Sequence, residues 1–173
     1  PQAHFGYRII KTLYQPYENV DQAPGFLRYP AELRALEKML KLWREGLDEA
    51  EKAAVTPEGT RLAALGTFIL CQIRTTIHIK RWWLTNMALQ TAPDVHTALA
   101  HMDALEALTF AEESNTRDAL PAVDADSRLG WEPSMEYVCD RWHLEWKLRQ
   151  LDSTRRELAA YRHILENAYA SET

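Results

Sequence analysis

Residues 61–83 read RLAALGTFILCQIRTTIHIKRWW, and this stretch decides the fold. Its first half is apolar on nearly every side, which indicates a helix at the centre of a helical protein. Thr56 is a suitable N-cap for that helix, and Pro57 suits the first helical position. We therefore predict a central helix from about Pro57 to Gln90. Gly66 lowers its helix propensity by about 1 kcal/mol, and close approach of a second helix would explain the glycine.

The segments on either side of the central helix predict three more helices. Apolar residues recur at alternating three- and four-residue steps over 33–50, and apolar stripes with helical spacing follow over 95–108 and over 138–165. Thr91 is the candidate cap of the third helix and Ser134 of the fourth, and Pro121 should end or kink the third. The sequence therefore predicts an all-α fold: an up-down antiparallel bundle of about four long helices.

The domain organisation follows from the loss of this pattern at the chain ends. Residues 1–30 are rich in aromatic residues, proline and glycine and show no sustained period, so we predict an irregular aromatic N-terminal arm that packs on an apolar surface. We assign the bundle to 31–168 and a short tail to 169–173. Because the chain begins at Pro1 rather than at an initiator Met, we expect it to be a piece of a longer protein.

Composition limits the partners. The net charge of −5 provides no general field for attracting nucleic acid or an anionic membrane. Arg74 and His78 interrupt the apolar run, so no stretch of about 18 apolar residues remains and no membrane-spanning helix is predicted. No signal peptide is visible, and the compartment stays open. Cys71 and Cys139 lie far apart, and we expect buried free thiols rather than a zinc or redox pair.

Polar residues on the central helix need partners. Arg74 and His78 lie one turn apart and share a face, and an unpaired buried arginine costs several kcal/mol. Residues equally far from the turn near Pro93 should face each other in two antiparallel helices. We therefore predict an ion pair between Arg74 and Glu112 or Glu113.

Two interpretations of this polar layer stay open. It is either an ion pair that fixes helix register or a ligand pocket closed by the loop DSRLGWEP at 126–133. In that loop Leu129 and Trp131 are expected to plug the bundle end, and the loop is expected to form a lid over the layer. The candidate residues, structural or ligand-binding, are Arg74, His78, Glu112, Glu113, Asn115, Asp126, Arg128 and Glu132.

The chain carries no recognisable catalytic or cofactor motif. It has no Glu-x-x-His of the di-iron bundles, no glycine-rich phosphate loop and no nucleophile elbow. Asp126, Glu132 and Glu136 would suit acid/base chemistry, but a turn cap and the dipole of the fourth helix explain them more simply. We predict no metal and no cofactor, and we assign no catalytic residue.

Three strings carry a family resemblance: RTTIHIKRWW at 74–83, EESNTRDALPAVDADSRLGWEPSMEY at 112–137 and HLEWKLRQL at 143–151. They resemble the helical region near the C-terminus of large bacterial glycoside-hydrolase-like proteins, in which that region follows a catalytic barrel. The resemblance implies a parent protein that acts on polysaccharide. It transfers no catalytic residue, because the acids at strand ends of a barrel have no counterpart here.

Three functions remain open. The first is a non-catalytic accessory domain that packs on, or shapes, the substrate cleft of a carbohydrate-active enzyme, with the parent chain, a protein partner or carbohydrate in contact. The second is a self-contained helical ligand-binding protein or enzyme that uses Arg74, His78, Glu113 and Asn115. The third is a protein–protein interaction module whose tryptophans anchor the interface. The candidate anchors are Trp43, Trp82, Trp83 and Trp142.

Overall fold

The computed structural model describes residues 25–132 and 137–170. Four long helices occupy most of them: α1 at Gly25–Lys52, α2 at Pro57–Gln90, α3 at Val95–Ala125 and α4 at Arg141–Ala170. A 3₁₀ turn at Ser127–Gly130 and two antiparallel strands, β1 at Trp131–Glu132 and β2 at Tyr137–Val138, connect α3 to α4. The predicted all-α antiparallel bundle is confirmed.

Helix α2 is the central element. One of its faces carries Ile73 and Ile77, which pack with Leu33 of α1. Another face carries Phe68 and Cys71, which form a second apolar cluster with α3 and α4. The members from those two helices are Ala119, Ala122, Val123 and Leu144. Packing on both sides explains why the first half of α2 is apolar nearly all round.

Helix α1 starts earlier than the sequence predicted. Residues 25–30, which were assigned to the arm, are helical. The reason is Tyr29, which is 2% exposed and meets the Trp83 ring edge to face, with 5.1 Å between ring centroids. The Lys80 ammonium group lies 4.4 Å from the centroid of the Tyr29 ring. These contacts offset the cost of Pro30 close to the helix start.

The predicted arm and the predicted tail lie partly outside the described residues. The rest of the predicted arm, residues 1–24, lies outside the described residues. Helix α4 extends to Ala170, so the predicted tail at 169–173 begins inside the helix. Its last three positions, 171–173, also lie outside the described part.

Two predicted helix starts are wrong. Thr91 ends α2, and Asp94 caps α3 by accepting a hydrogen bond at 2.7 Å from a backbone amide in the first turn. Asp140, not Ser134, caps α4, with a corresponding hydrogen bond of 3.0 Å. The strand β2 delays the last helix, and an aspartate caps as well as a serine or a threonine. The Thr56 cap of α2 is confirmed, because its hydroxyl accepts from a first-turn amide at 3.0 Å.

Helix α3 does not end at Pro121. It continues to Ala125, although an interior proline costs about 3 kcal/mol or more. The next two residues, Ala122 and Val123, are buried in the cluster shared with α2 and α4. Tertiary packing of these residues maintains the helix past the proline.

Helix α2 also meets the length and composition test for a membrane span, with a mean hydropathy of 1.4 over its most apolar window. The expectation that no helix spans a membrane stays a prediction. A central bundle helix passes the same test, because packing on both sides requires apolar residues on both sides. In this helix Thr75 and His78 hold a buried carboxylate of α3.

Gly66 lets α1 approach α2 closely, as the sequence predicted. A Cβ atom at Gly66 would lie 2.8 Å from Leu47 Cδ1, and Leu47 is 5% exposed. The Gly66 carbonyl accepts a hydrogen bond at 2.8 Å from the indole of Trp43. At Gly46, by contrast, a Cβ would meet nothing within 4 Å.

The two glycines therefore give a matched test. We expect Gly46→Ala to raise the free energy of unfolding by about 0.5–1 kcal/mol, the gain in helix propensity. Gly66→Ala should not raise the free energy of unfolding, because the new methyl group would displace the Leu47 side chain. Urea unfolding followed by circular dichroism measures both. Equal stabilisation by the two substitutions would contradict the close packing at Gly66.

Candidate functional site

A buried carboxylate lies where α2, α3 and α4 meet. Glu112 of α3 is 7% exposed. Its Oε1 accepts hydrogen bonds from the Thr75 hydroxyl, at 2.6 Å, and from the Lys147 ammonium group. Its Oε2 lies 2.5 Å from His78 Nδ1 and 3.4 Å from Asn115 Nδ2. We call Thr75, His78, Glu112, Asn115 and Lys147 the carboxylate cluster.

Asn115 joins the cluster to the backbone of α2. Its Nδ2 donates to the Cys71 carbonyl at 2.9 Å and to the Thr75 hydroxyl at 3.0 Å. Its Oδ1 is buried and has no hydrogen-bond partner among the described residues. Leaving a buried acceptor unpaired costs about 1–3 kcal/mol, so the hydrogen bonds made by Nδ2 must outweigh that cost.

The cluster keeps Glu112 ionised. Burial raises the pKa of Glu112, but the hydrogen bonds from His78, Lys147 and Thr75 outweigh burial and lower that pKa from 4.5 to about 2. A histidine that donates to an ionised carboxylate carries its proton on the donating nitrogen, so His78 holds a proton on Nδ1. A carboxylate with so low a pKa is a poor general base, and its arrangement suits a structural anchor.

The predicted partner of Arg74 is wrong. Arg74 Nη1 lies 3.1 Å from Asp118 Oδ2, and His78 takes the place beside Glu112. Side chains on a helix lean toward its N-terminus, which is away from the connecting turn in α2 and toward it in α3. A residue of α2 therefore contacts a residue of α3 that is farther from the turn than equal spacing suggests.

The other predicted residues lie outside the cluster. Glu113 pairs on the outer side with Arg117 at 2.7 Å and Arg155 at 3.5 Å. Asp126 and Arg128 pair with each other at 2.6 Å, and this hydrogen-bonded pair lowers the pKa of Asp126 to about 2.

The described part of the predicted lid, residues 126–132, does not lie over the cluster. Because α3 remains helical past Pro121, Asp126 lies about 20 Å along the helix from Glu112. Leu129 packs against the apolar cluster of α2, α3 and α4, as predicted for a plug at the bundle end. The backbones of Trp131 and Glu132 form β1, and their side chains lie outside the described part.

Lys147 was missed by the sequence reasoning. It sits between Leu144 and Leu148 in the apolar seam of α4, where its position places a cation on the inward side of the helix. A lysine at such a position needs a carboxylate partner, and that signal was available in the sequence. Nothing in the sequence placed the Thr75 hydroxyl against Glu112.

A groove of about 360 Å³ lies beside the cluster, between α2, α3 and α4. Its apolar walls are Ile79, Trp82, Leu108 and Leu151. Thr75, His78, Glu112 and Lys147 supply its polar side. Known ligand sites occupy about 300–1,000 Å³ and combine apolar walls with a few convergent polar groups.

Cys71 offers no reactive thiolate. Both cysteines are free, and Cys71 is buried while Cys139 is half-buried between β2 and α4. Burial raises the pKa of Cys71 to about 11, so its thiol stays protonated and unreactive at neutral pH. Among residues 25–132 and 137–170, no three His, Cys, Asp or Glu side chains are grouped as metal ligands.

The tryptophans differ strongly in exposure. Trp43, Trp82 and Trp83 are half-buried, but Trp142 is 59% exposed and Trp146 is 48% exposed. The last two lie one turn apart on α4, outside the apolar seam that faces the bundle. We call Val138, Trp142 and Trp146 the tryptophan face.

Comparison with protein-family models, with curated proteins and with solved structures finds no match for this chain. The resemblance to glycoside-hydrolase-like proteins therefore stays a prediction. The geometry of the described residues is the basis for the functional proposals below.

Removing the carboxylate tests its role as an anchor. We expect Glu112→Ala to lower the free energy of unfolding by about 3 kcal/mol, because Lys147 and His78 lose their acceptor in a buried site. Glu106→Ala on the same helix is the matched control and should cost less than about 1 kcal/mol, because the Glu106 side chain is 47% exposed and lies 3.9 Å from its partner Arg162. Denaturant unfolding measures both, and similar losses would contradict the assignment.

The low pKa of Glu112 predicts a pH dependence of stability. The folded-state pKa is about 2 and the ordinary value is 4.5, so the stabilisation is present above pH 4.5 and is lost as pH falls toward 2. The stability difference between the wild-type chain and Glu112→Gln should shrink over this window, by an amount on the order of 3 kcal/mol. Asp126 titrates in both chains and cancels in the difference. A difference that stays constant down to pH 2 would exclude the ionised anchor.

Proposed function

We propose that this chain is a non-catalytic helical accessory domain that packs against another surface, provided by the rest of a larger parent chain or by a protein partner. The observation that carries the proposal is the tryptophan face. Trp142 and Trp146 are largely exposed and lie one turn apart on α4, and Val138, four residues before Trp142, is 41% exposed. Exposed apolar side chains grouped on one side of a helix are typical of an interaction surface, and tryptophan is enriched among the residues that contribute most to binding.

A second apolar region at the start of α1 supports the same role. Phe26 is 61% exposed and Leu27 is 60% exposed. The neighbouring Tyr29 is buried against Trp83, so the helix end itself is firmly seated. Two adjacent apolar side chains on a seated helix end are suited to contact with a further surface.

The carboxylate cluster supports a structural role in preference to a catalytic one. Glu112 accepts hydrogen bonds from four side chains, which leaves no lone pair directed to a substrate. Its low pKa weakens it as a base, and the raised pKa of Cys71 weakens that thiol as a nucleophile. The chain's most perturbed buried groups are thus held in unreactive forms.

The class of the parent protein rests on the sequence resemblance. We propose a carbohydrate-active, glycoside-hydrolase-like enzyme whose substrate cleft this domain packs on or shapes. The coding sequence upstream of Pro1 tests this point. A barrel with acids at the C-terminal ends of its strands would support the proposal, and any other upstream domain would exclude this parent class.

Oxidative footprinting tests the tryptophan face. Hydroxyl radicals should oxidise Trp142 and Trp146 rapidly in the isolated chain and several-fold more slowly in the full-length parent protein, because a covering surface excludes solvent. Met87, which is 40% exposed at the end of α2, is the internal control and should react alike in both. Equal oxidation rates of Trp142 and Trp146 in the two proteins would contradict the proposal. Slow oxidation of the isolated chain that becomes faster on dilution would assign the face to a second copy instead.

A further inference from the structure

We propose that the groove beside the carboxylate cluster binds a small amphipathic molecule, an aromatic ring or short apolar body that ends in one hydroxyl group. A phenol is the simplest member of this class. The site uses α2, α3 and α4 and does not involve the tryptophan face. The inference therefore goes beyond the accessory role, and each can fail without the other.

The walls of the groove define the body of the ligand. Ile79 and Trp82 of α2, Leu108 of α3 and Leu151 of α4 surround a volume of about 360 Å³, enough for one substituted ring. Trp82 offers an aromatic surface on which a second ring packs favourably at about 4.5–7 Å between centroids. Apolar contact from three helices favours a ligand whose body is itself apolar.

The polar side of the groove defines the head group. Glu112 is saturated by its four donors, so it contributes no acceptor. The spare hydrogen-bonding capacity lies on two other atoms. His78 uses Nδ1 for Glu112, and its Nε2 has no partner among the described residues. Lys147 Nζ bonds Glu112 and, at 3.5 Å, Thr75, which leaves one of its three hydrogens.

One hydroxyl group satisfies both free atoms. When the single ring proton of a histidine is on Nδ1, its Nε2 accepts a hydrogen bond. A ligand hydroxyl donates to that nitrogen and accepts from Lys147 Nζ. The head group of the ligand thus needs both a donor and an acceptor on the same atom, which a hydroxyl provides and an ether or a hydrocarbon does not.

Charge and polarity argue against other head groups. Glu112 and Lys147 balance each other, so a ligand carboxylate would place a second negative charge beside Glu112. A ligand ammonium group would face Lys147 in the same way. A sugar would direct several hydroxyls against the apolar walls, where each unpaired hydroxyl costs free energy. A single neutral hydroxyl group avoids both the charge repulsion and the cost of unpaired hydroxyl groups.

The experiment uses the 173-residue chain with ¹⁵N-labelled histidine and tryptophan side chains. The probes are 4-ethylphenol, ethylbenzene, 4-ethylbenzoate and methyl glucoside. We expect 4-ethylphenol to bind with a dissociation constant of ~1 mM or lower and to shift the His78 Nε2 and Trp82 indole signals. Ethylbenzene, which lacks the hydroxyl, should bind about tenfold more weakly, and the anionic benzoate and the glucoside should also bind more weakly.

Substitutions locate the binding in this groove. Ile79 is 57% exposed, so Ile79→Glu should leave the fold intact while it puts a charge into the apolar wall, and phenol binding should fall at least about tenfold. Ile164→Glu is the matched control, because Ile164 is 62% exposed on α4 and lines no part of the groove; binding should not change.

The hydroxyl preference should depend on Lys147. Lys147→Met removes the donor and should bring the affinities for 4-ethylphenol and ethylbenzene together, with a melting curve to confirm that the chain is folded. Phenol binding that survives Ile79→Glu, equal affinity for ethylbenzene in the wild-type chain, or tighter binding of the glucoside or the benzoate would each overturn the proposal.

Discussion

The ionised carboxylate of Glu112 fixes how three of the four helices lie against each other. Apolar contacts between helices are non-directional, and a shift of one turn exchanges one leucine contact for another at small cost. A one-turn shift at Glu112 would instead leave a buried charge without its donors, at a cost of several kcal/mol. Thr75 and His78 from α2 and Lys147 from α4 converge on this one group. The register of α2, α3 and α4 therefore depends on it.

The sequence predicted the parts of the fold that depend on periodicity. The apolar stripes repeat with the helical period, so the number of helices, their inward faces and the need for Gly66 could be inferred. Register could not, because a stripe that repeats every turn fits its neighbour equally well at several offsets. Arg74 shows the consequence: the inference of an ion pair was sound, but the partner is Asp118 because side chains lean toward the N-terminus of each helix.

The sequence also could not separate an interior face from an interface. Helix α4 carries apolar residues on two sides, and the sequence left open whether Trp142 packs within the bundle or anchors an interface. Leu144 is buried, but Trp142 and Trp146 are largely exposed. Interface centres and protein interiors are built from the same residue types, so composition alone does not tell them apart. Only the position of α4 against α3 shows which side of α4 stays exposed. Pro121 is a similar case, because the proline alone predicted the end of α3, whereas tertiary packing keeps the helix intact to Ala125.

The hydrogen bonds that stabilise the ionised Glu112 also limit which ligands the neighbouring groove can bind. A carboxylate whose hydrogen bonds are all made within the protein cannot accept a proton or a hydrogen bond from a ligand without losing a bond that holds the helices together. The ligand must therefore interact with the donors of Glu112 rather than with Glu112 itself. Those donors have capacity left because histidine has two ring nitrogens and lysine has three hydrogens. One arrangement thus stabilises the bundle and leaves a binding surface beside it, and binding there need not disturb the register of the helices.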